Sequence, residues 1–214
     1  TVVLTHSRGG FLALCTASLW IAWRSGKLFR AAFVLLALGL IFPLVAPKDV
    51  LDRLSTLSDP TKESSAAARF TAWSTALRMI QDNPALGVGM RNFHTRYPDY
   101  ADEISVRTNA SYVAHNSYLQ IWAESGSLAF VVYLLLLASV FVTCNHVFKL
   151  GRLRPELQWA SNHARMMEAT TVGFLVGAFF LNRGHFDLVY HWLSLVSALS
   201  TATPVRAGRY GAGS

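Results

Sequence analysis

Residues Ala114–Cys144 read AHNSYLQIWAESGSLAFVVYLLLLASVFVTC, and the fold turns on how this stretch divides at Gly126. The part before the glycine places His115, Tyr118, Leu119 and Trp122 on one face at helical spacing. The part after it, Ser127–Cys144, is an uncharged apolar run. A run of about 18 such residues reads as a transmembrane helix. The helix before Gly126 then sits just above a bilayer, with His115 in its first turn where a helix N-terminus meets a loop.

Four more apolar segments surround this one: Gly9–Trp23, Leu28–Ala46, Ala169–Leu181 and Leu188–Thr203. Several are shorter than the roughly 20 residues needed to cross hydrocarbon, so flanking residues complete the first and fourth spans. Hydrophobic residues make up 52% of the 214 and charged ones 14%, against roughly 25% charged in soluble domains. The charges cluster between the apolar runs. These features predict an all-α fold, a polytopic transmembrane helical bundle of about five spans with one large, partly helical loop. Residues 1–46 hold two transmembrane helices, 47–126 form the loop, and 127–214 hold three more helices and a tail. The first residue is Thr1, and no basic segment precedes the first apolar run. The reading therefore expects a chain beginning mid-protein rather than behind a signal peptide.

The formal net charge of +7 does not point to nucleic acid, because the basic residues gather at the ends of apolar runs. Arg24, Lys27 and Arg30 follow the first span; Lys149, Arg152, Arg154 and Arg165 follow the third; Arg206 and Arg209 follow the fifth. If five spans alternate, all three groups share one side, which the positive-inside rule makes cytoplasmic. The 47–126 loop, the turn Asn182–Asp187 and Arg8 then share the opposite face, periplasmic in a bacterium. Cys15 and Cys144 lie within apolar runs and read as small buried side chains. Gly173 and Gly177 form a GxxxG that reads as helix packing. The small, Gly-rich residues Ala207–Ser214 read as a frayed tail.

Within the loop, Ser65–Ile80 predicts a helix with Phe70, Trp73, Leu77 and Ile80 on one stripe and Arg69 on its flank. Asn83-Pro84 ends it, and Gly87 and Gly89 mark an irregular turn. Three residues stand out as chemistry carriers. Arg8 borders an apolar span, where a cation either snorkels to the headgroups or faces an anionic lipid headgroup. Arg69 is either a solvated helix residue or a two-pronged donor to phosphate oxygens. His115, with an ordinary pKa of about 6.5, is either a structural polar group or a proton acceptor near neutral pH. His185, Asp187 and His191 (HxDxxxH) lie near one another, but their spacing does not place both histidines on one helix face, so no metal site is expected there. The Asn109-Ala-Ser sequon carries little meaning in a bacterial protein. No P-loop, Rossmann glycine motif or GxSxG elbow occurs.

Three runs, THSRGGFLAL, RFTAWSTALRMIQDNPALGVGMRNF and AHNSYLQIWAESGSLAF, together resemble the O-antigen ligase/polymerase family of bacterial membrane proteins. That family shares an SRG-type segment opening a transmembrane helix, an R-x3-W-x2-A helix leading to P-x-x-G-x-G, and an HN-x-Y-L…E-x-G segment leading into the next span. The resemblance covers roughly residues 5–141, and the last two spans match only in hydrophobicity. It implies a bacterial inner-membrane protein and an inverting glycosyltransferase. The donor would be an undecaprenyl-diphosphate-linked glycan, and the acceptor a hydroxyl of lipid A–core, protein Ser/Thr or another glycan. Neither metal nor nucleotide cofactor is expected. His115 matches the family's essential His, and Arg69 and Arg8 match its diphosphate-binding arginines. Glu124 and Tyr118 are candidates for substrate contact or for support of the His helix. A polymerase of the same family, or a transporter of lipid-linked glycan that makes no bond, are the alternatives. Ionisable residues concentrated in one loop, rather than paired within the spans, favour chemistry over transport.

Overall fold

The structure, a computed structural model, describes residues 8–27, 63–103, 112–181 and 187–210, with 29–30, 32–34, 36–37 and 106. The second apolar segment lies largely outside the described residues, as do the loop up to residue 62, Asn109, and His185. Every regular element among the described residues is helical. The elements are α1 (Arg8–Arg24), α2 (Glu63–Asp82), α3 (Phe93–Tyr100), α4 (Ser117–Leu153), a 3-10 turn at Pro155–Leu157, α5 (Gln158–Phe180) and α6 (Leu188–Tyr210).

α4 is the organising element, packing against α5, α6 and α2, while α1 lies along α5. Ser117 at the start of α4 donates to the Leu181 carbonyl just past the end of α5 (2.6 Å), so these two helices run antiparallel. α1 is antiparallel to α5 as well. Gly173 and Gly177 of α5 face Ala13 and Ala17 of α1, where an added Cβ would sit 3.3 Å from the Ala13 carbonyl oxygen. The GxxxG thus does what small residues do between apolar helices: it lets backbones approach. One core joins Val140, Cys144 and Val147 of α4 to Ala160 and Ala164 of α5 and Val196 and Leu199 of α6. The Cys144 thiol is a small buried group within it.

Among the described residues, α4 is the one helix long and apolar enough to cross a membrane. Leu128, Val131, Val132, Leu135 and Val142 point out of the bundle, a surface suited to hydrocarbon. The helices run beyond the predicted spans. α4 reaches Leu153, α5 begins at Gln158, and α6 continues to Tyr210 through the supposed tail at Ala207. The charged residues at these ends are good helix formers, and helix formation does not stop where hydropathy does. Arg24, Arg152 and Arg165 lie at one end of the bundle, away from His115.

Two local expectations are corrected. Phe70 is 66% exposed and Leu77 45% exposed, whereas Ala72, Thr75, Ala76, Met79 and Ile80 are buried. The face of α2 that packs inward is therefore the small-residue one, which allows close approach to Phe93 and Tyr97 of α3 and to Ala123 of α4. His115 also precedes the helix rather than lying in its first turn. Asn116 is the N-cap, its side chain accepting from the Tyr118 and Leu119 amides. Asparagine is a strong N-cap because its oxygen satisfies amides that have no partner within the helix.

Gly126 breaks α4 with φ 77° and ψ 175°, a region essentially reserved for glycine. A Cβ there would overlap the Ala85 carbonyl and the Leu86 amide. Gly126→Ala is expected to cost about 3 kcal/mol or more, from backbone strain and steric overlap together. Gly26→Ala shares a positive φ (69°) but has nothing within 4 Å, so it should cost only about 1–2 kcal/mol. Thermal unfolding in detergent separates the two, and equal losses would contradict the packing at Gly126.

Candidate active site

The break at Gly126 leaves backbone groups without helical partners, and the loop after α2 supplies them. Val88 N–H donates to the Ala123 carbonyl (2.9 Å), Gly89 N–H to the Glu124 carbonyl (2.9 Å), and Ser127 N–H to the Pro84 carbonyl (2.8 Å). Gly87, at φ 67°, presses so closely on this strip that a Cβ would lie 2.5 Å from the Glu124 carbonyl carbon. The irregular turn predicted from its glycines is thus a plug fitted to the helix break. Trp122 closes the other side, its indole N–H donating to Ser127 Oγ (2.9 Å).

Glu124 completes the joint from within. Its side chain is buried, with 1% of the residue exposed. It accepts from Arg91 N–H (2.8 Å), Phe93 N–H (3.3 Å) and Gln120 Nε2 (2.9 Å). A carboxylate receiving backbone amides this way fixes a loop strongly, and here it holds Arg91 in a left-handed conformation (φ 61°). The Tyr118 hydroxyl donates to the Leu175 carbonyl (2.8 Å), tying α4 to α5. The polar atoms of both residues are engaged inside the protein.

The catalytic candidates gather above this joint. Trp73 of α2 donates its indole N–H to the Ala114 carbonyl (2.9 Å), and its ring meets Phe70 at 5.4 Å and Phe179 of α5 at 5.6 Å. The next residue, His115, is half-buried and left-handed (φ 49°). Histidine tolerates that conformation better than most residues, yet it is uncommon and concentrates at functional sites. Arg69 lies one turn before Trp73 on the same flank of α2, and its charge acts directly on His115. Burial first, and the Arg69 guanidinium second, lower the His115 pKa below its ordinary 6.5. Both effects favour the neutral imidazole over the imidazolium.

Arg8 opens α1; its side chain lies outside what the structure describes. Its neighbour Gly9 backs onto Phe180, whose ring lies 5.2 Å from Phe179 and so next but one to Trp73. The first turn of α1, the last turn of α5, α2 and His115 thus converge. Sequence reasoning placed Trp73 in an apolar stripe and Asn116 in a motif but gave neither its role of setting the backbone on either side of His115. An Asn directly before a helical pattern was the available signal for the second. Among the described residues, no three His, Cys, Asp or Glu side chains could together hold a metal ion. His191 contacts the Asp187 carbonyl through Nδ1 (2.9 Å).

A sequence model of the O-antigen ligase family matches residues 1–134. The chain belongs to the O-antigen ligase family. The matched region contains Arg8, Arg69, His115, Tyr118 and Glu124, and members of this family are glycosyltransferase-like enzymes of ligase or polymerase type. An uncharacterized protein of Haemophilus influenzae is 24% identical over 64% of this chain. The chain spans 38% of that relative's length.

Arg69→Ala removes the charge beside His115 but leaves its burial. In this O-antigen ligase family member, His115 should then titrate at a higher pH than in the wild type while staying below a solvated imidazole. NMR of labelled imidazole measures this, and an unchanged midpoint would contradict the juxtaposition.

Proposed function

We propose that this protein transfers a glycan from undecaprenyl diphosphate to a hydroxyl acceptor with inversion at the anomeric carbon. The acceptor is lipid A–core, a protein side chain or another glycan. The observation that carries this reading is a half-buried, left-handed His115 on which the Arg69 charge acts, at the start of the long apolar helix α4. The acceptor oxygen attacks the anomeric carbon from the face opposite the diphosphate. As the new carbon–oxygen bond forms, the bond to phosphate oxygen breaks and the lipid diphosphate leaves with both bonding electrons. His115 takes the proton from the acceptor hydroxyl, a contribution of about 10²–10⁴-fold for general-base catalysis.

Arg69 and Arg8 bind the diphosphate and stabilise the charge that grows on it during departure. A guanidinium suits this because its parallel donors match phosphate oxygens. Charge neutralisation by arginine leaves no step that needs a metal ion. Glu124 and Tyr118 act by holding the His115 site rather than by touching substrate. In this reading α1, α5 and α6 also cross the inner membrane, and the His115 site faces the periplasm, opposite the arginine-rich end.

In the full-length protein, His115→Ala and Arg69→Ala should each lower glycan transfer by at least about 100-fold, with membrane levels unchanged. Transfer should survive chelators. The kcat/KM of the wild type for the donor should fall as pH drops through the depressed His115 pKa of the free enzyme, so its acid limb lies below 6.5. Near-normal transfer by both variants would sink the proposal.

A further inference from the structure

The opposite end of the bundle carries a second cluster of cations. Phe148 of α4 lies beneath two guanidinium groups: Arg165 of α5 at 4.2 Å from the ring centroid and Arg24 of α1 at 5.4 Å. Glu168 pairs with Arg24, Oε2 to Nε at 3.0 Å, and is itself buried. The carboxylate beside these two permanent cations is committed to Arg24. The Arg165 Nε is buried and has no hydrogen-bond partner. One turn before Arg24, Trp20 Nε1 is buried and unpartnered too. Trp20 packs on Phe141, two turns of α4 before Phe148, so it is the Arg165 Nε, a donor, that calls for an acceptor to complete this corner.

The surroundings specify the acceptor further. Lys27, Lys149, Arg152 and Arg154 are exposed around the same end, and the nearby acid outside the pair, Glu156, is exposed in the 3-10 turn. The positive field therefore exceeds what local carboxylates neutralise. Below the corner, α4 presents Val142 and Leu135 outward, an apolar surface for acyl chains. A headgroup phosphate over an apolar helix face meets both demands, and basic pockets between membrane helices bind such groups.

We propose that the Arg24–Phe148–Arg165 corner binds the phosphate of an anionic membrane lipid. Arg165 donates to its oxygens while Phe148 holds the guanidinium flat against α4. This site is separate from the His115 site and does not depend on the reaction proposed there.

Native mass spectrometry of the full-length protein, titrated with phosphatidylglycerol or phosphatidylcholine, tests this. Wild type should retain phosphatidylglycerol preferentially, and Arg165→Gln should reduce that preference about fivefold, the worth of one arginine at an anionic surface. Arg165→Lys should fall between. If Arg165→Gln fails to fold, Phe148→Leu removes the shared ring while keeping both charges and should weaken retention in the same direction. Equal retention of the two lipids, or wild-type retention by Arg165→Gln, would overturn the site. Thermal stabilisation by inorganic phosphate equal to that by phosphatidylglycerol would overturn the lipid as its source.

Discussion

The structure depends on a helix break that is satisfied by a loop. Where α4 stops being helical at Gly126, two carbonyls and an amide lose their intrahelical partners in a place water does not reach freely. Unpaired backbone groups there would cost about 1–3 kcal/mol each. The Pro84–Gly89 segment supplies all three partners through its own backbone, and Gly87 and Gly126 permit the contact because neither has a Cβ. Break and loop are therefore one unit: either alone leaves orphaned polar groups.

That unit gives the site its rigidity. The loop is the direct continuation of α2, so fixing it against α4 fixes the register of α2 as well. Trp73 then meets the Ala114 carbonyl, and the Arg69 charge acts on His115. Asn116 caps the helix on the other side of His115. The imidazole is positioned by backbone held at both neighbours. Such preorganisation suits groups that must act without rearranging. The buried Glu124 belongs to this scaffold, since it clamps Arg91 and Phe93 and leads the loop into α3.

The helical class, the long apolar span, the break at Gly126 and the turn at Gly87 and Gly89 were legible because each has a local signature in hydropathy or backbone chemistry. The inward face of α2 was not. Hydropathy favours Phe70 and Leu77, whereas packing chose Ala72 and Ala76, because close approach rewards small side chains and an apolar environment does not punish exposed large ones. The pairing of Arg69 with His115 was also invisible to periodicity. The two residues are far apart in sequence, and what joins them is a tryptophan–carbonyl hydrogen bond. Family resemblance named both residues, and only the fold supplied a reason for them to act together.

The positive field around His115 has two consequences in the proposed reaction. With no donor bound, Arg69 disfavours imidazolium, so His115 stays unprotonated and available. A diphosphate seated on Arg69 would cancel much of that field and add negative charge of its own. Both changes make the imidazole a stronger base. By linkage, proton acceptance by His115 and retention of the anion on Arg69 reinforce each other. The base would thus be strongest when the donor is in place, and protonated His115 would help hold the diphosphate as it departs. In the proposed reaction, a pair whose members oppose each other when empty and cooperate when loaded would need only the fixed placement of α2 that the Gly126 joint gives.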